Sequence, residues 1–237
     1  MTTTAEPIRA VLFDFAGTLF ARADAERDVA FAARSLGVSL SAGECKRLAA
    51  QFLAAGIPGG PYPKSVPADA AVLYAERDLA PERHRAAYLA LLATVPAPAG
   101  LAAAVYERVL TAEGWVAYSD SYATVRTLIA RGIAVALVSN TGFDLRPILR
   151  EHGMDELAAH ASLSFELGVA KPAPAIFEHA LADVDAAPDE ALMVGDHPAA
   201  DGGATAIGMR TLILPMSPAG AEQGLARVLD LVISGQA

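Results

Sequence analysis

Four short stretches of this 237-residue chain carry residue types that could do chemistry together. Asp14 closes an apolar run and is followed by Phe15-Ala16-Gly17-Thr18. Ser139-Asn140-Thr141-Gly142 follow a second apolar run, and Lys171 stands in Gly168-Val-Ala-Lys-Pro. Gly195-Asp196-His197-Pro-Ala-Ala-Asp201 follow a third. A carboxylate can attack phosphorus or carbon to form an ester, splitting one hard displacement into two easier ones. A hydroxyl and an ammonium group supply the fixed donor and positive charge that phosphoryl transfer requires, and paired carboxylates supply the hard oxygens that Mg²⁺ prefers. Each residue alone has a structural reading: a strand-end Asp or Ser as a cap or turn, Lys171 as a surface lysine, Asp201 as a helix cap. Their spread along the chain makes coincidence unattractive.

The elements that must position them follow from the hydrophobic pattern. Residues 10–15 (AVLFDF) read as a buried parallel strand whose C-terminal end opens onto solvent. Residues 22–114 read as helical, with no convincing strand. Ser41-Ala-Gly-Glu44 is a capping-box signature, residues 56–63 (GIPGGPYP) form a Gly/Pro loop, and Pro81 suits a first helical turn. Beyond Trp115 the pattern alternates. Helices are expected over 119–131, 144–152, 172–181 and 199–207, and strands over 133–139, 159–163, 191–194 and 211–214. Such alternation specifies an α/β fold with a Rossmann-like parallel sheet, formed by residues 1–20 and 115–237 and interrupted by an all-helical insert over 21–114. Ligands bind such sheets outside the carboxyl ends of the strands, where the reactive residues would converge.

FDFAGTLF, LVSN, GVAKPAPAIF and MVGDHPAADGGATAIGM resemble the four ordered motifs of the haloacid dehalogenase superfamily. The resemblance covers the whole core, and the helical stretch matches the family's cap insert in position and size. It implies that Asp14 is the covalent nucleophile of a hydrolase. Ser139 would donate to a phosphoryl oxygen, Lys171 would neutralise charge on that group and on Asp14, and Thr18 is a further donor. Asn140 and Thr141 would contact the substrate. Mg²⁺ is the implied cofactor, held by Asp14, the backbone carbonyl of Ala16, Asp196 and, through water, Asp201, which would otherwise orient Lys171.

The chain departs from the family at Ala16, where most of its phosphatases carry a second Asp that protonates the leaving group. Such an acid contributes ~10²–10⁴-fold in rate. Three readings follow. The first is a phosphohydrolase whose leaving group needs no proton, or in which a cap lysine assists; Lys64, at the end of the Gly/Pro loop, is better placed than Lys46. The second is a 2-haloacid dehalogenase, in which halide leaves unprotonated and Mg²⁺ is not required; Asp196 and Asp201 oppose it, because they would repel a carboxylate substrate unless metal were bound. The third is a protein that keeps the fold for binding alone. His197, Tyr62 or His84 are also conceivable replacement acids. Residues 56–64 are the expected specificity loop, and Arg146 is either a second anion contact or an exposed helix residue.

Composition narrows the classes. Hydrophobic residues make up 54% and charged residues 19%, which fits a sizeable packed core. A net charge of -9 without a basic run argues against nucleic acid as a partner. Cys45 is the single cysteine, so no intrachain disulfide is expected, and it reads as packing. Residues 1–7 carry no signal-peptide pattern, and the uncharged stretch 86–106 is broken by Pro96, Pro98 and Gly100. The expectation is a cytoplasmic monomer or homodimer, free of membrane, acting on a small anionic molecule.

Overall fold

The computed structural model describes residues 6–234. The reading of residues 1–7 and the outer limits of the segments 1–20 and 115–237 therefore fall partly outside the described residues. Five strands form one parallel sheet: β1 (Ala10–Phe13), β4 (Ala134–Ser139), β5 (Ala161–Leu163), β6 (Ala191–Gly195) and β7 (Arg210–Ile213). Their order is β5-β4-β1-β6-β7, with β1 in the centre between β4 and β6. All four residues of β1 are buried because both faces of the sheet are covered. Side-chain alternation sends Ala10 and Leu12 toward Ile176, Phe177 and Ala180 of helix α10 (Pro174–Asp183), while Val11 and Phe13 enter the larger cluster on the other face. That second face is closed by α6 (Ser121–Ala130), α7 (Arg146–Glu151), α8 (Asp155–Ala159) and α11 (Ala226–Ser234). The chain fills the sheet outward from β1 through β4 to β5, then crosses back to the far side of β1 for β6 and β7. This reversal makes the carboxyl end of β1 a topological switch point, where the strand-end loops part and leave a crevice.

Between β1 and α6 lie five α-helices: α1 (Ala25–Ser35), α2 (Ala42–Ala55), α3 (Ala71–Ala75), α4 (Pro81–Leu92) and α5 (Leu101–Val109). The Ser41 capping box is present in full, with Glu44 reaching back to the Ser41 backbone, and Pro81 opens α4. Phe52, Leu91 and Val105 of these helices join Phe15, Leu19, Phe20 and Trp115 in the same apolar cluster that covers β1. The helical segment is thus packed continuously against the sheet domain. Among the described residues no helix is long and apolar enough to cross a membrane. Cys45 is buried and free, as its packing role requires.

Several elements differ from the sequence expectation. Phe20–Arg22 (β2) and Trp115–Ala117 (β3) pair antiparallel, forming a two-stranded ribbon through which the chain enters and leaves the helical segment. Strands of three residues show too little alternation to be read locally, and their pairing joins positions almost a hundred residues apart. The expected helix over 199–207 is a 3₁₀ helix, Asp201–Ile207, whose Gly203 lies against Pro172. Helix α11 had no sequence counterpart, yet its Val228 and Val232 are buried. A helix of four residues, α9 (Ser164–Leu167), follows β5.

Candidate functional site

Asp14 leaves the end of β1 with its backbone N–H still donating to Val194 of β6 at 2.9 Å, so the sheet ladder fixes the carboxylate's origin. The next turn requires Gly17: its φ is +84°, and a Cβ there would overlap the Asp196 carboxylate. The Gly17 carbonyl is gripped from outside by Gln223, whose Nε2 donates to it at 2.6 Å. Gln223 is buried and is itself set by Asp120, whose carboxylate accepts from the backbone N–H groups of Gln223, Gly224 and Leu225. Sequence reasoning passed over Gln223, because a lone glutamine in a Gly/Pro-rich stretch carries no local signal.

Lys171 is the centre of the charge arrangement. Its Nζ donates to Asp14 Oδ1 and to Asp201 Oδ1, each at 2.6 Å. The other Asp201 oxygen accepts from the His197 backbone N–H at 2.9 Å, so each Asp201 oxygen makes one orienting contact. Asn140 does not extend a free amide. Its Oδ1 accepts from the Lys171 N–H at 2.7 Å and its Nδ2 donates to the Lys171 carbonyl at 2.9 Å, a bracket that fixes the lysine's backbone. Thr141 accepts in a local turn from Phe143 N–H, and its own N–H donates to Ser164 Oγ at 2.9 Å. Ser139 is buried at the end of β4 and borders the cavity.

The donor set fits a hard divalent cation. Asp14, Asp196 and Asp201 each offer a carboxylate oxygen, and these atoms lie within 4.8 Å of one another. Burial pushes the Asp14 carboxyl up to about 7 against the pull of Lys171, with Asp201 and Asp196 adding to the rise. Burial and Asp201 push Asp196 up to about 6. Three crowded carboxylates beside one ammonium group leave negative charge that a cation would neutralise.

A cavity of about 210 Å³ opens above this floor. Asp14, Ala16, Ser139, Asn140, Thr141, Lys171, Asp196 and Asp201 border it from the sheet domain. Residues 56–63, Tyr74, Arg77, Asp78, His84 and Tyr88 border it from the helical segment. Of the residues singled out from sequence, Thr18 and Lys64 lie elsewhere. Thr18 is fully buried with its hydroxyl unpartnered and does not reach the cavity, because the turn at Gly17 directs it into the core. Lys64 is exposed, one residue beyond the part of the Gly/Pro loop that borders the cavity. Arg146 is held by Glu166 in a two-pronged ion pair, both contacts 2.7 Å, and so faces away from any substrate role.

The helical segment adds two residues that the sequence did not mark. The Arg77 guanidinium lies 4.2 Å from the centroid of Tyr74 and donates to the Tyr74 carbonyl and the Tyr88 hydroxyl. Asp78 pairs with Arg77 at 3.3 Å, and its backbone carbonyl accepts from Ser164 Oγ, the same hydroxyl that receives the Thr141 N–H. Ser164 therefore ties the Arg77–Leu79 turn to the loop after β4. A second contact seals the same seam: a Cβ on Gly142 would overlap the His84 ring.

The site thus places a buried carboxylate at the central switch point of a parallel sheet, with a lysine bridging two acids and a third acid beside them. The pattern of the haloacid dehalogenase-like hydrolase family matches residues 8–206, and the chain belongs to that family. A phosphoserine phosphatase from Thermus thermophilus is 40% identical over 100 residues, 40% of this chain and 39% of its own length. The chain's match spans about two fifths of the length of the curated relatives it resembles. Among solved structures, a HAD phosphatase from Thermococcus onnurineus superposes with a TM-score of 0.58 at 20% identity, covering 95% of this chain and 98% of that one. A 2-haloacid dehalogenase from Pseudomonas syringae pv. Tomato superposes with a TM-score of 0.59 at 22% identity, covering 96% and 99%. At these identities the fold is shared, and the fold alone accommodates both chemistries.

Proposed function

We propose that this protein is a Mg²⁺-dependent phosphohydrolase that acts on a small anionic phosphorylated metabolite through an aspartyl-phosphate on Asp14. The observation that carries the reading is Lys171 Nζ held at 2.6 Å from both Asp14 and Asp201, with Asp196 completing a cluster of three carboxylates. The phosphatase relative supports phosphorus rather than carbon as the reacting atom. A metal-free dehalogenase site would bring a carboxylate substrate against Asp196 and Asp201, which repel it.

In this mechanism the Asp14 oxygen attacks phosphorus and the bond to the leaving oxygen breaks. Lys171 stabilises charge on the transferring group and is kept in register by Asp201 and by the Asn140 bracket. Ser139, at the edge of the cavity, donates to a phosphoryl oxygen. Asp14, the Ala16 carbonyl, Asp196 and, through water, Asp201 would hold Mg²⁺, which when bound neutralises phosphoryl charge. Residues 21–114 act as a cap that excludes water, and the loop over 56–63 with Tyr74 and Arg77 selects the substrate. A cytoplasmic location is part of this proposal.

The test is hydrolysis of acetyl phosphate and p-nitrophenyl phosphate, with and without Mg²⁺, by wild type and Asp14→Asn. Metal-dependent turnover that Asp14→Asn abolishes supports the reading. Turnover indifferent to Asp14→Asn, or halide release from 2-haloacids in its place, overturns it.

A further inference from the structure

The family position that would carry the proton donor is Ala16, whose methyl group can neither give nor take a proton. We propose that Asp78, on the roof of the cavity, is the residue that protonates the leaving oxygen and then takes a proton from the attacking water. The proposal rests on the phosphohydrolase reading above.

The direction of the reaction selects the roof. Phosphoryl transfer runs with the attacking and leaving oxygens roughly in line through phosphorus. Asp14 attacks from the floor, so the leaving oxygen departs on the opposite side, toward the helical segment. Four acids border the cavity among the described residues: Asp14, Asp196 and Asp201 on the floor and Asp78 on the roof. The three floor acids are committed to the nucleophile and its cation cluster. Asp78 is the one acid facing the side on which a proton is needed.

Its position is built rather than incidental. Ser164 anchors its backbone to the floor loop at Thr141, so the turn is fixed against the site. Arg77, pinned by Tyr74 and Tyr88, holds one edge of its carboxylate at 3.3 Å, and among the described residues no side chain claims the other oxygen. Burial raises the Asp78 carboxyl above its ordinary value, against the opposing charges of Arg77 and Lys171. A carboxyl so placed keeps a proton further toward neutrality, as a general acid needs.

The other polar groups of the roof are less suited. His84 Nδ1 is tied to the Tyr106 hydroxyl at 2.8 Å, and burial drives the ring down to about 3, so it carries no imidazolium proton at neutral pH. The Tyr88 hydroxyl accepts from Arg77, and burial raises its ionisation well above the ordinary tyrosine value. Tyr62 is 65% exposed at the cavity mouth, with its ring edge-on to His197.

The steps balance. Asp14 Oδ forms a bond to phosphorus as the phosphorus–oxygen bond to the alcohol breaks, and the Asp78 proton goes to that oxygen. Water then enters from the vacated side, its oxygen bonds to phosphorus, the bond to Asp14 breaks, and one water proton returns to Asp78. Acid and base are the same group because the leaving alcohol and the entering water occupy the same place.

The experiment compares phenyl phosphate, a poor leaving group, with p-nitrophenyl phosphate and acetyl phosphate, which leave with little need of a proton. Asp78→Asn is expected to lower kcat/KM on phenyl phosphate by ~10²–10⁴-fold and far less on the two activated substrates. Arg77→Gln is expected to lack that dependence on leaving group, which separates a proton-transfer role from mere pairing with Arg77. Adding Ala16→Asp to Asp78→Asn is expected to recover phenyl phosphate turnover, which also shows that the variant folds. If Asp14-dependent turnover is present but Asp78→Asn slows all three substrates equally, the proposal is overturned and the phosphohydrolase reading stands. If wild type turns over none of them, that reading itself falls and takes the proposal with it.

Discussion

At the scale of single residues, the site is organised around where one ammonium group is held. Lys171 is buried among carboxylates, and such an arrangement is strongly destabilised when one charged member is misplaced. The protein secures Lys171 through its backbone, by the two hydrogen bonds to the Asn140 side chain. Both polar atoms of the Asn140 side chain are engaged by the lysine's backbone, although its place after Ser139 invites a reading as a substrate contact. Asn140→Ala is expected to destabilise the protein by ~1–3 kcal/mol, since it leaves a buried N–H and carbonyl unmatched. It should lower kcat with little change in KM. A denaturant titration alongside steady-state kinetics checks both; a rise in KM at constant kcat would return Asn140 to substrate contact.

At the scale of elements, the turn after β1 depends on a segment two hundred residues away. The loop leading into α11 sends Gln223 to the Gly17 carbonyl, and Asp120 at the start of α6 shapes that loop with three backbone hydrogen bonds. The nucleophile's turn is thereby clamped between its own strand and the chain's last helix. Gln223→Ala removes the clamp without touching the cavity. It is expected to cost ~1–3 kcal/mol of stability through the unpaired Gly17 carbonyl and to loosen the positions of Asp14 and Ala16. Amide hydrogen exchange over residues 14–20 should accelerate, whereas exchange in β4 should stay as in wild type. No local change in exchange would show that the turn is held by its own hydrogen bonds.

At the scale of the whole molecule, the helical segment and the sheet domain share one apolar cluster and meet at a seam where His84 lies against Gly142 and Phe143. Burial depresses His84 from its ordinary 6.5 to about 3. In that window the unfolded chain binds a proton that the folded chain refuses, so the folded state loses stability as pH falls from about 6.5 toward 3. Asp14 acts in the opposite sense: the folded carboxyl holds its proton up to about 7 against an ordinary 3.8, so it favours folding as pH falls through that range. The comparison that isolates His84 is wild type against His84→Asn. The variant is expected to lose less stability than wild type between about pH 7 and about pH 4, measured by urea denaturation at each pH. Equal losses would mean that the seam opens before His84 is protonated.

Much of this was legible along the chain, and the boundary is a physical one. Buried parallel strands announce themselves as apolar runs, and the groups at their carboxyl ends must converge once the sheet forms, so Asp14, Ser139, Asp196 and Asp201 could be named from local pattern, and Lys171 from the motif that precedes a helix. The capping box at Ser41 and the proline at the start of α4 are equally local. Other features join distant positions and leave no local trace: the β2–β3 ribbon, the Gln223 clamp and the Ser164 bridge to Asp78. Thr18 and Lys64 fell outside the cavity for a related reason, since a residue one position from a sharp turn or a loop's edge can face either way, and only packing chooses. The sequence by itself therefore determined the family fold and the floor of the site, because both follow from short-range patterning. Only the tertiary structure decided the roof. Which side chains of the helical segment border the cavity above Asp14 depends on how its helices and turns pack on one another, and that packing brought Arg77 and Asp78, from the turn between α3 and α4, to its edge.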